Sequence, residues 1–260
     1  MDKNNQNLEY LRHSLAHLLA AAVIELWPDA KRTIGPAIEN GFYYDFEFAK
    51  PVSEEDLPKI EQKMREILKT WNTFEETEKN ASEAKKEFAD NPYKLELIEE
   101  FSKDGQKITF YKSGNYIDLC RGGHIENTRE IDPDAFKLTK IAGAYWRGNE
   151  KNKMLTRIYG VGFATKKELD EYLLMVEEAK KRDHKILGPE LDLFTFSDLV
   201  GSGLPLWTPK GTILRNTLDD FVWSLREKRG YLKVEIPHIT KKDLYITSGH
   251  WDKFKDELFR

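Results

Sequence analysis

One cysteine in 260 residues, Cys120, leaves no pair from which an internal disulfide can form. That agrees with a reducing, cytoplasmic setting. Long apolar runs are missing as well: none approaches the ~18 residues that a helical membrane span needs, so no membrane partner is expected. The opening Met-Asp-Lys-Asn-Asn-Gln-Asn lacks the charged-then-apolar order of a secretory signal, and residues 15–26 are interrupted by His17 and Glu25. Neither sign of charge dominates. The 41 Lys and Arg against 45 Asp and Glu leave a net −4, which argues against nonspecific nucleic-acid binding by the whole chain but permits a local basic surface. Repeats and low-complexity linkers are absent. With 40% hydrophobic and 33% charged residues, the composition is that of a globular chain forming one large domain or two modest ones.

Against this background the chain is organised around Leu-Arg-His-Ser-Leu-Ala-His-Leu-Leu (11–19), which predicts a long first helix with His13 and His17 one turn apart on one face. At 100° per residue, Leu8, Leu11, Leu15, Leu18, Ala22 and Leu26 gather on the opposite side as a core-facing stripe. The histidines are therefore expected to point away from the core, into a groove flanked by Ala16, Ala20, Ala21 and Ile24. A second wall comes from Tyr-Ile-Asp-Leu-Cys-Arg-Gly-Gly-His (116–124), where Gly122 and Gly123 favour a strand end and a turn over a helix. His13, His17, Cys120 and His124 are the right types and number for tetrahedral zinc.

In chain order, residues 31–48 read as extended structure with a tight turn at Glu39-Asn40-Gly41, and Phe42, Tyr43, Tyr44, Phe46 and Phe48 alternate between faces. Ser53-Glu-Glu-Asp-Leu announces a capped helix with Leu57, Ile60, Met64, Ile67 and Leu68 on its apolar face. Another helix is predicted over 81–89, broken by Asn91-Pro92-Tyr93-Lys94; base rates alone would leave Lys94 exposed at a capping turn. A hairpin around Ser113-Gly114-Asn115 delivers Asp118 and Cys120 on one side. Two strands over 136–159 turn at Arg147-Gly148-Asn149, and a single long helix over 166–185 leads to Gly188-Pro189. An amphipathic helix over 210–228 and a strand over 232–236, closed by Pro237, begin a separate module.

HSLAH (13–17) with CRGGH (120–124), joined through TIGPAIENGFYYDF (33–46), resembles the editing domain of threonyl-tRNA synthetases and more distantly that of alanyl-tRNA synthetases. KIAGAYWRGNEKNKMLTRIYG (140–160) favours the threonyl branch, and RDHKILGPELDLF (182–194) and TSGHWDKFKDELF (247–259) extend the resemblance over the whole chain. The helix and strand over 210–237 are similar to motif 1 of class II synthetases, which builds a dimer interface in that family. The resemblance implies an α+β fold: an editing domain over 1–163 with a mixed or antiparallel sheet and the histidine-bearing helix, a linker helix over 164–188, and the start of a class II α/β catalytic domain over 189–260. It also implies a portion of a longer enzyme, because the motifs that grip ATP and magnesium and the zinc site that reads threonine are expected beyond Arg260. The anticodon-binding domain is expected there too, and no room precedes His13 for a small ubiquitin-like domain.

The implied reaction is hydrolysis of seryl-tRNA(Thr) formed in error. Serine differs from threonine by one methyl group, worth only ~1 to 3 kcal/mol of discrimination, so a second pocket must proofread. His13 and Lys94 are expected to place water and ester, with His17, Cys120 and His124 in the same catalytic group and Tyr44 and Asp118 binding substrate. Tyr44 and Lys94 enter this set through the resemblance. No cofactor is required for that chemistry. The competing expectation is a non-catalytic tRNA-binding or dimerisation module in which the four candidate ligands hold a structural zinc.

Overall fold

The structure is a computed structural model that describes residues 3–254 except 202 and 238. Residues 255–259 of the TSGHWDKFKDELF stretch therefore lie outside the described residues. The chain forms two compact units divided between Ala179 and Lys180. Every strand pairing among the described residues is antiparallel, as in an α+β fold.

The first unit begins with α1 (Lys3–Leu26). Short strands β1 (Lys31–Arg32) and β2 (Ala37–Ile38) follow and pair with β3 (Gly41–Glu47). Then come α2 (Leu57–Leu68), β4 (Glu75–Glu78), α3 (Ala81–Glu87) and α4 (Pro92–Lys103). The hairpin β5 (Thr109–Ser113) and β6 (Tyr116–Leu119) completes a three-stranded sheet ordered β4-β5-β6. Finally β7 (Phe136–Tyr145) and β8 (Met154–Gly162) extend the larger sheet in the order β1-β3-β8-β7 before α5 (Lys166–Lys181).

The first helix departs from its expected two-faced character. From Ser14 to Val23 every residue is buried, because α2 and the strands β3 and β8 pack on it while Phe74 and Tyr116 close the histidine side. Its stripe of alanines admits those neighbours closely, so His17 lies in the core instead of an open groove.

The first hairpin loop is Glu39-Asn40, with Asn40 itself in the left-handed region at φ 62°. Gly41 is the first strand residue, and its need for glycine is steric: a Cβ there would sit 2.2 Å from the carbonyl oxygen of Gly160 on β8. Phe42, Tyr44 and Phe46 point into the core, whereas Tyr43 faces outward. All five apolar residues of α2 are buried as its spacing predicts, although the helix proper starts after a single 3-10 turn at Glu54–Asp56.

Asn91-Pro92 does more than end a helix. The Asn91 side chain accepts a hydrogen bond from the Lys94 amide at 3.2 Å and Pro92 occupies the first turn, so the pair starts α4, a helix the pattern reading missed. The acidic strand β4 was also missed, since four exposed polar residues carry no apolar alternation.

The second unit contains α6 (His184–Glu190), a small hairpin of β9 (Phe194–Thr195) and β10 (Leu206–Trp207), α7 (Pro209–Glu227), α8 (Lys242–Thr247) and α9 (His250–Lys253). The single helix expected over 166–185 is thus two: Asp183 breaks it and caps α6 through the Lys185 amide at 2.8 Å. Ile213, Leu214, Leu218, Phe221 and Leu225 of α7 are exposed. The strand expected over 232–236 does not form, because no partner lies beside it among the described residues and a lone extended segment makes no ladder.

Candidate functional site

All seven residues singled out from the sequence meet in the first unit. Alpha1 supplies His13 and His17, β3 supplies Tyr44, α4 supplies Lys94, and β6 with the turn after it supplies Asp118, Cys120 and His124. Gly122 and Gly123, at φ 96° and 85°, let that turn fold back over α1 in a conformation that side-chain-bearing residues rarely adopt.

Three histidines and the thiol form one wall. The Nε2 atoms of His13 and His124 lie 3.5 and 3.3 Å from Cys120 Sγ, and the four candidate donor atoms fall within 4.8 Å of one another. His13 Nδ1 is 3.2 Å from the Gly123 carbonyl oxygen, which can only accept, so Nδ1 carries the proton and Nε2 keeps its lone pair. Ser14 Oγ lies 3.4 Å from His124 Nδ1 and also accepts the Ile125 amide at 3.2 Å, pinning the turn to the helix. Burial pushes the His13 imidazole below its ordinary range. His17 is pushed down to about 3 by burial and by its neighbour His13. Burial, followed by His17 and His13, also lowers His124. The ring trio is neutral at pH 7. Burial raises the Cys120 thiol to about 11, so it is protonated there as well.

The second wall is ionic. Lys94 and Asp118, each 1% exposed, pair at 2.7 Å, and Arg32 Nε reaches the same carboxylate oxygen at 3.4 Å. Tyr44 and Tyr116 donate their hydroxyls to the other oxygen at 2.5 and 2.9 Å, and the Leu119 amide donates to Oδ1 at 2.9 Å. Lys94 also donates to Tyr44 at 3.3 Å. Burial opposes ionisation of Asp118, but Lys94 and then Arg32 outweigh it and hold the carboxyl below the usual range. Burial lowers Lys94, and Asp118 offsets part of that effect. Two cations share one carboxylate, leaving an excess positive charge beside a cavity of about 270 Å³ lined by His13, Tyr44, Lys94, Asp118 and Cys120, with Phe101 and Leu97 as its apolar side.

Arg32, Tyr116, Ser14 and Phe74 were not anticipated. Tyr116 was accessible in principle, since it precedes Asp118 by two residues on one strand face. Arg32 carries no such signal: it is held between the rings of Phe88 and Tyr116, 5.0 and 5.1 Å from their centroids, a setting made by chain segments far apart.

The donor set also fits zinc. Tetrahedral bonds of ~2.0 to 2.3 Å place donors about 3.3 to 3.8 Å apart, the range of the two contacts to sulfur. The Nδ1 atom of His17 is buried without a hydrogen-bond partner, and His13 and His124 already have outer hydrogen-bond partners of the kind that orient ligands.

Residues 108–159, which include Cys120, His124 and Asp118, match the family described as the threonyl and alanyl tRNA synthetase second additional domain. Across nearly the whole chain the sequence is 53% identical to a threonine–tRNA ligase of Gloeobacter violaceus, over 98% of this chain and 41% of the relative. Over nearly its whole length the chain is similar to part of the threonine–tRNA ligases. Relatives from Borreliella burgdorferi and Deinococcus radiodurans, both bearing the same name, are each 51% identical over 95% of the chain, covering 42% and 39% of their own lengths. The chain thus spans about two fifths of the length of the threonine–tRNA ligases it matches.

Proposed function

We propose that the first unit hydrolyses the ester of tRNA(Thr) mischarged with serine. The observation that carries this reading is the buried Lys94–Asp118–Arg32 group, with its surplus positive charge, set across one cavity from a neutral His13 whose Nε2 keeps its lone pair beside the Cys120 thiol. Water held near His13 attacks the acyl carbon; the Lys94 ammonium draws the developing negative charge on the carbonyl oxygen. The carbon–ribose oxygen bond breaks, the ribose oxygen takes up the proton, and serine and uncharged tRNA leave. An aminoacyl ester is reactive enough that placing water and stabilising charge suffice. Cys120 is unsuited to act as nucleophile, since a thiol raised to about 11 is almost wholly protonated at pH 7.

Neither metal nor cofactor is needed for this reading. A second reading, a tRNA-binding module with a structural zinc on His13, His17, Cys120 and His124, is favoured by the donor spacing and the unpartnered His17 nitrogen. Zinc would ionise the thiol and take the histidine lone pairs, withdrawing the base that the first reading requires. Stoichiometric zinc in the purified chain that resists dialysis, together with no deacylation, would favour it. For the longer ligase we propose a cytoplasmic homodimer whose motif 1 segment, residues 210–237, offers the exposed face of α7. No helix among the described residues is long and apolar enough to cross a membrane.

The test is deacylation by the full 260-residue chain of Ser-tRNA(Thr) and Thr-tRNA(Thr). The serine ester should be hydrolysed much faster, and His13→Ala and Lys94→Ala should each slow it by roughly 10²-fold. Equal rates on the two esters would remove the proofreading role, and full activity in both variants would remove the mechanism.

A further inference from the structure

We infer that the turn at Trp146 and Arg147, between β7 and β8, is a positioning clamp that holds α4 from its solvent side and so sets Lys94 in the cavity; the inference rests on the role proposed for Lys94. The two residues grip one carboxylate. Trp146 Nε1 donates to Glu96 at 3.0 Å and Arg147 Nε donates to its other oxygen at 2.7 Å, while Arg147 Nη2 reaches Glu100 at 2.6 Å. Glu96 and Glu100 are one turn apart on the outer face of α4, and Lys94 and Ile98 are buried on the inner one. Beneath the clamp, Tyr93, Trp146 and Leu155 form a small core of their own, and the Tyr93 hydroxyl donates to Glu47, which also pairs with Lys153 from the far end of the turn.

The backbone points the same way. Arg147 sits at φ 58°, ψ 23°, in the left-handed region, although its neighbour Gly148 at φ 68° is the residue type that suits it. An arginine is kept where glycine would be easier, and the contacts it makes are those with α4.

Arg147→Gly tests this, because it removes the arginine's contacts with Glu96 and Glu100 while suiting the backbone, so the thermal midpoint should be unchanged or higher. In the full chain kcat for Ser-tRNA(Thr) should fall about tenfold with KM unchanged, the effect of a displaced catalytic group, and Arg147→Lys should recover part of it. In a Lys94→Ala background the same change should cost nothing further. Amide exchange over residues 94–98 should quicken about tenfold or more while that of α1 stays constant. Wild-type kcat and exchange in Arg147→Gly, or an undiminished loss in the Lys94→Ala background, would overturn the clamp. If the unsubstituted chain hydrolyses no ester, it is the proposed function that fails, and exchange alone decides the clamp: faster exchange supports it and unchanged exchange overturns it.

Discussion

Replacing Asp118 with asparagine keeps the shape of the side chain and removes its charge. Among the described residues Asp118 is the only anion contacting Lys94 and Arg32, and it accepts from both tyrosines and the Leu119 amide as well. The variant therefore leaves two buried cations without a counter-charge, a change that costs about 3 to 5 kcal/mol when one partner of a buried pair is lost. Arg32 is 16% exposed at its side chain and can turn partly to water, which favours the lower end. For a unit of this size that corresponds to a fall in Tm of about 6 to 20 °C. Because folding holds the Asp118 carboxyl below its ordinary range, the ionised form is the one that stabilises the fold. Its contribution is complete above about pH 4 and disappears as pH falls through the lower, folded value. Wild type and Asp118→Asn should therefore differ most at pH 7 and converge in acid. Urea titrations read through the protection of α1 and β3 amides confine the measurement to the first unit. A loss below about 1 kcal/mol at pH 7, or one equally large at pH 3, would refute the ionic account of this wall.

Three further outcomes follow from the geometry. Cys120→Ser should retain deacylation within about fivefold, and a loss of 10²-fold or more would point to the thiol as nucleophile. Burial and His13 push His17 down to about 3, so the neutral ring is favoured by folding; its stabilisation is full above about pH 6.5 and lost as pH falls towards 3. His17→Gln should flatten the acid limb of the stability profile between those values, and an unchanged slope would show that other groups govern it. Gly41→Ala places a Cβ 2.2 Å from the Gly160 oxygen and should destabilise the first unit by about 1 to 3 kcal/mol in urea unfolding; wild-type stability would mean that the β3–β8 contact relaxes freely.

Local spacing alone made much of this protein legible. The one-turn interval between His13 and His17, the glycines after Cys120 and the alternation that puts Asp118 and Cys120 on one side are short-range properties of the chain, and the four metal-type donors do converge. The apolar face of α2 and the Ser113-Gly114-Asn115 hairpin were readable for the same reason. The pattern failed where one segment's environment is made by another. Alpha1 has a recognisable leucine stripe, yet from Ser14 to Val23 it is covered on every side because α2 and the large sheet pack on it and Phe74 and Tyr116 close the histidine side. The strand over 232–236 failed conversely, for an extended segment becomes a strand only beside a partner. Lys94 is the sharpest case: its neighbours in sequence, Asn91 and Pro92, specify a helix start, and nothing in them specifies burial. Burial was decided by Asp118, 24 residues away along the chain, whose charge makes a dry lysine tolerable once packing has brought the two within 2.7 Å of one another. Helix periods and turns are set by adjacent dihedral angles, which the sequence determines by itself; desolvation and counter-charge are set by whatever folds against a residue, which only the tertiary structure decides.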